Sequence, residues 1–82
     1  MATQYIPLPT ARAPRLPLTS YVTLAIVRFH MGHDFRKQAP RWYRAMAIRL
    51  HVAAATYDTR GDFATARECR SLLTTCERYA AR

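Results

Sequence analysis

Lysine is almost missing from this sequence. Lys37 stands alone against twelve arginines. Acids are scarce too, five in 82 residues, which leaves a net charge of +8. Arginine and alanine both have GC-rich codons, so the preference for arginine over lysine is not read as phosphate recognition. The charge itself points to an acidic partner: nucleic acid, an acidic protein face or a membrane surface. Two cysteines are too few for a disulfide scaffold. On an intact helix Cys69 and Cys76 stand about 10 Å apart, beyond the reach of a disulfide. Only two glycines are present, Gly32 and Gly61, and no glycine-rich phosphate loop. The longest apolar run, Tyr21 to Val27, is too short to cross a bilayer. No charged n-region precedes an apolar stretch, so no signal peptide is expected. A soluble, cytoplasmic chain that does not engage a membrane is the expectation.

What is present is half hydrophobic, enough for a folded core. A chain this short forms one domain and buries about 60% of its unfolded surface. Residues 1–18 form a proline-rich arm carrying Pro7, Pro9, Pro14 and Pro17, which keep the backbone extended. Its apolar Tyr5, Ile6, Leu8, Leu16 and Leu18 place it across the helices or across a partner. Pro14 to Pro17 is a PxxP string of a kind common in such arms. Residues 19–82 are expected to form a single helical domain. Thr19 and Ser20 are candidate caps for a helix over Tyr21–Met31, with Gly32 as its stop. That segment is apolar nearly all round, which calls for burial on more than one side. Its apolar surface exceeds what two neighbouring helices can cover, so a homodimer through Tyr21–Met31 is expected. Its β-branched residues leave a strand open as the alternative.

A polar connection, His33 to Gln38, leads to Pro40, well suited to a first helical position. The pattern is then helical to Thr59. Tyr43, Met46, Ala47, Leu50, Ala53, Ala54 and Tyr57 form one stripe. Ala45, Ile48, Val52 and Ala55 form a second. Two apolar faces predict a middle helix, with the last helix on one side and Tyr21–Met31 on the other. Gly61 and Asp62 read as a helix stop and the next helix's cap. In the last helix Ala66, Cys69, Leu72, Leu73, Cys76, Tyr79 and Ala80 share one face, opposite Arg67, Arg70, Ser71, Thr74 and Arg78. The expected fold is all-α: a small three-helix domain, an antiparallel hairpin plus a first apolar helix, behind the proline-rich arm.

The corner Tyr57-Asp58-Thr59-Arg60-Gly61-Asp62-Phe63, with Ala66 three residues on, resembles part of a tetratricopeptide repeat. That family places Tyr, then Gly four later, an acid, an aromatic, and an Ala where the paired helices pack closest. Leu50 and Ala54 match the repeat's large and small upstream positions. Arg70 and Arg78 depart from it, standing where an apolar residue and a proline belong. The resemblance covers one unit and implies an antiparallel helical hairpin. In overall style the chain resembles small proteins of bacteriophages and other mobile elements. That likeness implies a compact regulator or inhibitor docking on a larger host protein.

Catalytic chemistry finds little footing. Asp62 is accounted for by capping, and Glu68 and Glu77 by a solvated helix. No nucleophile has a recognisable base beside it. No enzymatic activity and no cofactor are expected. His30, His33, His51, Cys69 and Cys76 are the soft ligands, but the cysteines lie on a core face a heptad apart. That is the pattern of small buried apolar residues, not of a zinc site. The richest stretch runs from Arg36 to Arg49. Arg36, Lys37, Arg41, Arg44 and Arg49 meet no acid there, and Trp42 and Tyr43 sit among them. These cations and Trp42 are the candidate partner-binding residues, with Arg67, Arg70 and Arg78 as a second surface. The expected partner is a larger protein with an acidic face. Nucleic acid is the alternative, bound by Arg36–Arg49 or by the arginine face of the last helix.

Overall fold

The computed structural model describes residues 18–82. The proline arm, with its PxxP string and its apolar Tyr5, Ile6, Leu8 and Leu16, lies outside the described residues. Three helices follow in order: α1 (Leu18–Met31), α2 (Pro40–Thr59) and α3 (Phe63–Ala80). A single 3-10 turn, Phe35–Lys37, sits between α1 and α2. The described residues contain no strand, so the fold is all-α and Tyr21–Met31 is helical.

α2 begins with Pro40 in its first turn, where the missing N–H costs nothing. Its seven-residue stripe from Tyr43 to Tyr57 is buried throughout. Buried Ala53 and Ala54 on α2 and Ala66 on α3 are small enough to let helices approach closely. α2 ends in a Schellman turn. The Asp62 N–H donates to the Tyr57 carbonyl at 2.9 Å and the Gly61 N–H to the Asp58 carbonyl at 2.9 Å. Gly61 takes φ +82° to make this turn, a conformation that costs other residues dearly. Asp62 then caps α3 by accepting from the Thr65 N–H at 3.2 Å. α3 returns antiparallel to α2: Asp58 pairs with Arg70 at one end, and Tyr43 meets Tyr79 at the other, 5.2 Å between ring centroids. Cys69 and Cys76 are free and fully buried between the two helices.

α1 packs on α2 and differs from its sequence reading in three ways. It starts at Leu18, so Thr19 and Ser20 are helical residues and not caps. Ser20, Thr23, Leu24 and Val27 form its buried face. It is therefore buried on one side only; Leu18, Tyr21, Val22 and Phe29 are exposed. It ends at Gly32, whose N–H reaches the Phe29 carbonyl at 3.1 Å without a left-handed residue. α1 meets the second apolar strip of α2 only at its edge, where Thr19, Ser20 and Thr23 share a groove with Ile48 and Val52. Ala45, Ile48, Val52 and Ala55 are exposed, Ile48 by 70%. The stripe centred on Leu50 is broad enough for α3 and α1 together, and no other described element covers the far side of α2.

The end of α1 fastens to both other helices. Arg28 reaches across to α3 in a bidentate pair with Glu68, at 2.8 and 2.5 Å. The His30 ring packs edge-on against Trp42 at the start of α2, 4.9 Å between centroids.

Candidate functional site: a cationic end of the bundle

The connection between α1 and α2 is polar in composition but anchored by one aromatic. Phe35 is 6% exposed and packs edge-on against Trp42, Tyr43 and Tyr79. The Tyr43 hydroxyl donates to the Phe35 carbonyl and accepts from the Gln38 N–H. Asp34 hydrogen-bonds His30 at 2.6 Å, and the Gln38 side chain donates to the Asp34 carbonyl at 3.2 Å. Together these bonds fix the loop that carries Arg36 and Lys37.

The same frame gathers charge. Arg36 and Lys37 lie on the 3-10 turn, and Arg41 and Arg44 in the first turns of α2. α3 runs antiparallel, so its last turn comes back to this end, bringing Arg78. Arg82 follows, its guanidinium 4.5 Å from the Tyr79 ring centroid. All of these cations are exposed. Among the described residues no carboxylate pairs with Arg36, Lys37, Arg41, Arg44 or Arg78. The nearby acid Asp34 is committed to His30, whose hydrogen bond holds its carboxyl below the usual range. Glu77 lines a separate groove beside Ile48 and Val52. A cleft of about 400 Å³ opens between the 3-10 turn and α3, lined by Met31, His33, Asp34, Arg36, Lys37 and Tyr79 among others. Exposed Met31 thus adjoins the cations directly.

The remaining candidates are placed elsewhere. Arg49 lies at mid-α2, beside Thr19, Ser20 and Thr23 of α1. Arg67 and Arg70 stand near the Gly61 corner, and Arg70 is paired with Asp58. Arg67, Arg70 and Arg78 do share the exposed face of α3, but Arg67 and Arg78 are about 16 Å apart along its axis. Trp42 is half-buried, with its ring against His30, Phe35 and Tyr43. Tyr43 is core, 3% exposed, so it offers no face for stacking.

Sequence reasoning did not single out three participants. Phe35 could have been noticed as the one aromatic in a polar loop. Arg82 joins the cluster through Tyr79, and Arg28 finds Glu68 forty residues away; neither pairing leaves a local signal. The described residues bring no three His, Cys, Asp or Glu together in a metal-holding group. Burial raises the Cys69 thiol and pushes Cys76 up to about 11, so both are poor nucleophiles. No described helix is long and apolar enough to cross a membrane. Comparison with family models, curated proteins and solved structures found no match.

Proposed function

We propose that this chain is a protein-binding module that docks its cationic end on an acidic face of a larger protein. In the setting implied by its style of sequence, it acts as a regulator or inhibitor of a host protein. One observation carries the reading: Arg36, Lys37, Arg41, Arg44 and Arg78 lie at one end of the bundle, and among the described residues none is paired with a carboxylate. Only Arg78, in the last turn of α3, is well placed for the fold, at the negative end of that helix's dipole. Arg41 opposes the positive end of the α2 dipole, at a cost of at most about 0.3–1 kcal/mol, and Arg44, a turn further on, at less. An acidic surface would relieve both the repulsion and the dipole conflict. Exposed Met31 at the edge of the cluster supplies apolar contact of the kind a protein partner uses. The fixed loop means that little ordering entropy is lost on docking.

Capture from a host extract tests the proposal. Wild-type chain should retain one protein in stoichiometric amount, and Arg41→Glu/Arg44→Glu should lose it. No stoichiometric protein on the wild-type chain would count against the reading.

Nucleic acid is the competing reading, favoured by the net charge of +8. It predicts affinity for duplex DNA whose logarithm falls steeply and linearly with the logarithm of salt. The division of cations between two ends of the bundle, and a tight corner that packs α3 antiparallel on α2, do not offer a recognition helix to a groove. Absence of DNA binding at low salt removes this alternative.

A further inference from the structure

α1 is turned the opposite way to an ordinary surface helix. Its buried face carries two hydroxyls, Ser20 and Thr23, beside Leu24 and Val27. Its outward face carries Leu18, Tyr21, Val22, Ala25 and Phe29. At 100° per residue these five fall within about 100° of arc, opposite the buried four. Leu18 is 75% exposed, Tyr21 63% and Phe29 61%. No charged residue lies in the stripe. The flanking Arg28 is drawn aside by Glu68.

We propose that this stripe is a self-association surface, on which α1 of a second copy of the chain packs antiparallel about a two-fold axis. Three features select that occupant. A partner carrying the same charge of +8 can approach only where the surface is uncharged, and this face is. An acidic partner, by contrast, gains nothing here that the cationic end does not offer better. The stripe is also self-complementary: an antiparallel register that sets Leu18 against the second copy's Phe29 sets Val22 against the second copy's Ala25 as well. Large faces large at the two ends, and a small pair lets the helices close at the centre, as an isologous contact requires. Five side chains per copy make a small interface, near or below the roughly 1,200 Å² at which specific stable ones begin. Association at micromolar rather than nanomolar concentration follows. The surface is separate from the cationic end, and each copy in the pair still presents that end.

Light scattering after size exclusion, on the full chain, tests this first. At high micromolar concentration the mass should be twice 9.4 kDa, falling to one chain on dilution. Added salt should strengthen the pair by screening its like charges. Val22→Glu and Ala25→Glu should each shift the dissociation constant at least tenfold while leaving helical circular dichroism unchanged, and the urea midpoint too at concentrations where the wild-type chain is monomeric. Register is tested by mixing Leu18→Cys chain with Phe29→Cys chain under mild oxidation. The mixed disulfide should dominate over either self-linked product, and the fully buried Cys69 and Cys76 should not compete. This readout also decides the matter if a Glu variant fails to fold. A monomer at every concentration overturns the proposal, including one in which residues 1–17 cover the stripe. So does a dimer indifferent to both Glu substitutions, or self-linked products in excess of the mixed one.

Discussion

The two ends of this bundle are built from the same residue types and use them differently. At the Gly61 corner the charges are spent on structure. Asp62 caps α3 and Asp58 holds Arg70. At the opposite end Arg36, Lys37, Arg41, Arg44 and Arg78 have no acid partner among the described residues. What holds that end together is aromatic: Phe35, Trp42, Tyr43 and Tyr79. Counting cations along the chain makes the two ends look alike. At the corner the fold accounts for Arg70, through Asp58, but leaves Arg67 exposed; the larger group of cations without an acid partner lies at the other end.

The comparison breaks most visibly at Phe35. Truncation to Ala should cost about 3–5 kcal/mol by loss of a buried aromatic, a large share of a small domain's stability. Urea melts should show it, and hydrogen exchange should rise first around residues 34–44. Gly61→Ala comes next. Nothing lies within 4 Å of the added Cβ, so the loss of about 1–2 kcal/mol comes from backbone conformation alone. Asp62→Ala should cost about 1 kcal/mol through the lost cap. Arg41→Ala/Arg44→Ala should be neutral or slightly stabilising in the same melts, because it removes charge from the wrong end of a dipole.

Acid and alkali separate the ends further. The Arg28 hydrogen bond holds the Glu68 carboxyl below its ordinary value. Its contribution is therefore complete above about pH 4.3 and is lost as pH falls through the lowered value. Both side chains are more than a third exposed, so no more than about 1 kcal/mol is at stake. Glu68→Gln should flatten that acid limb. At the alkaline side the sign reverses for Cys76. Burial raises its folded value to about 11, so stability is full below the unfolded value of about 8.5 and declines as pH rises between the two. Until then both thiols should resist alkylation in the native protein and react on unfolding.

The hairpin was legible in the sequence because its signals are local and periodic. Pro40, the Tyr43–Tyr57 stripe, Gly61, Asp62 and the α3 face each act within a few residues. α1 was less legible. Its apolar residues surround the helix, so periodicity could not tell which face turns inward, and the buried choice includes Ser20 and Thr23. The same ambiguity hid how α1 sits: it reaches the edge of the Ile48–Val52 strip without covering it. The cationic end was half visible. Arg36 to Arg44 is contiguous, whereas the arrival of Arg78 and Arg82 depends on how far α3 runs back beside α2. That return is fixed by ring contacts between residues as distant as Phe35 and Tyr79.

The central claim is that the cationic end serves binding and the corner serves folding. The most direct measurement is a paired one, partner capture and urea stability on the same two variants. Arg41→Glu/Arg44→Glu should abolish stoichiometric capture from a host extract with its urea midpoint unchanged or raised. Asp58→Ala/Arg70→Ala should keep capture intact and lower the midpoint. Capture lost equally in both variants, or retained in the first, would contradict it.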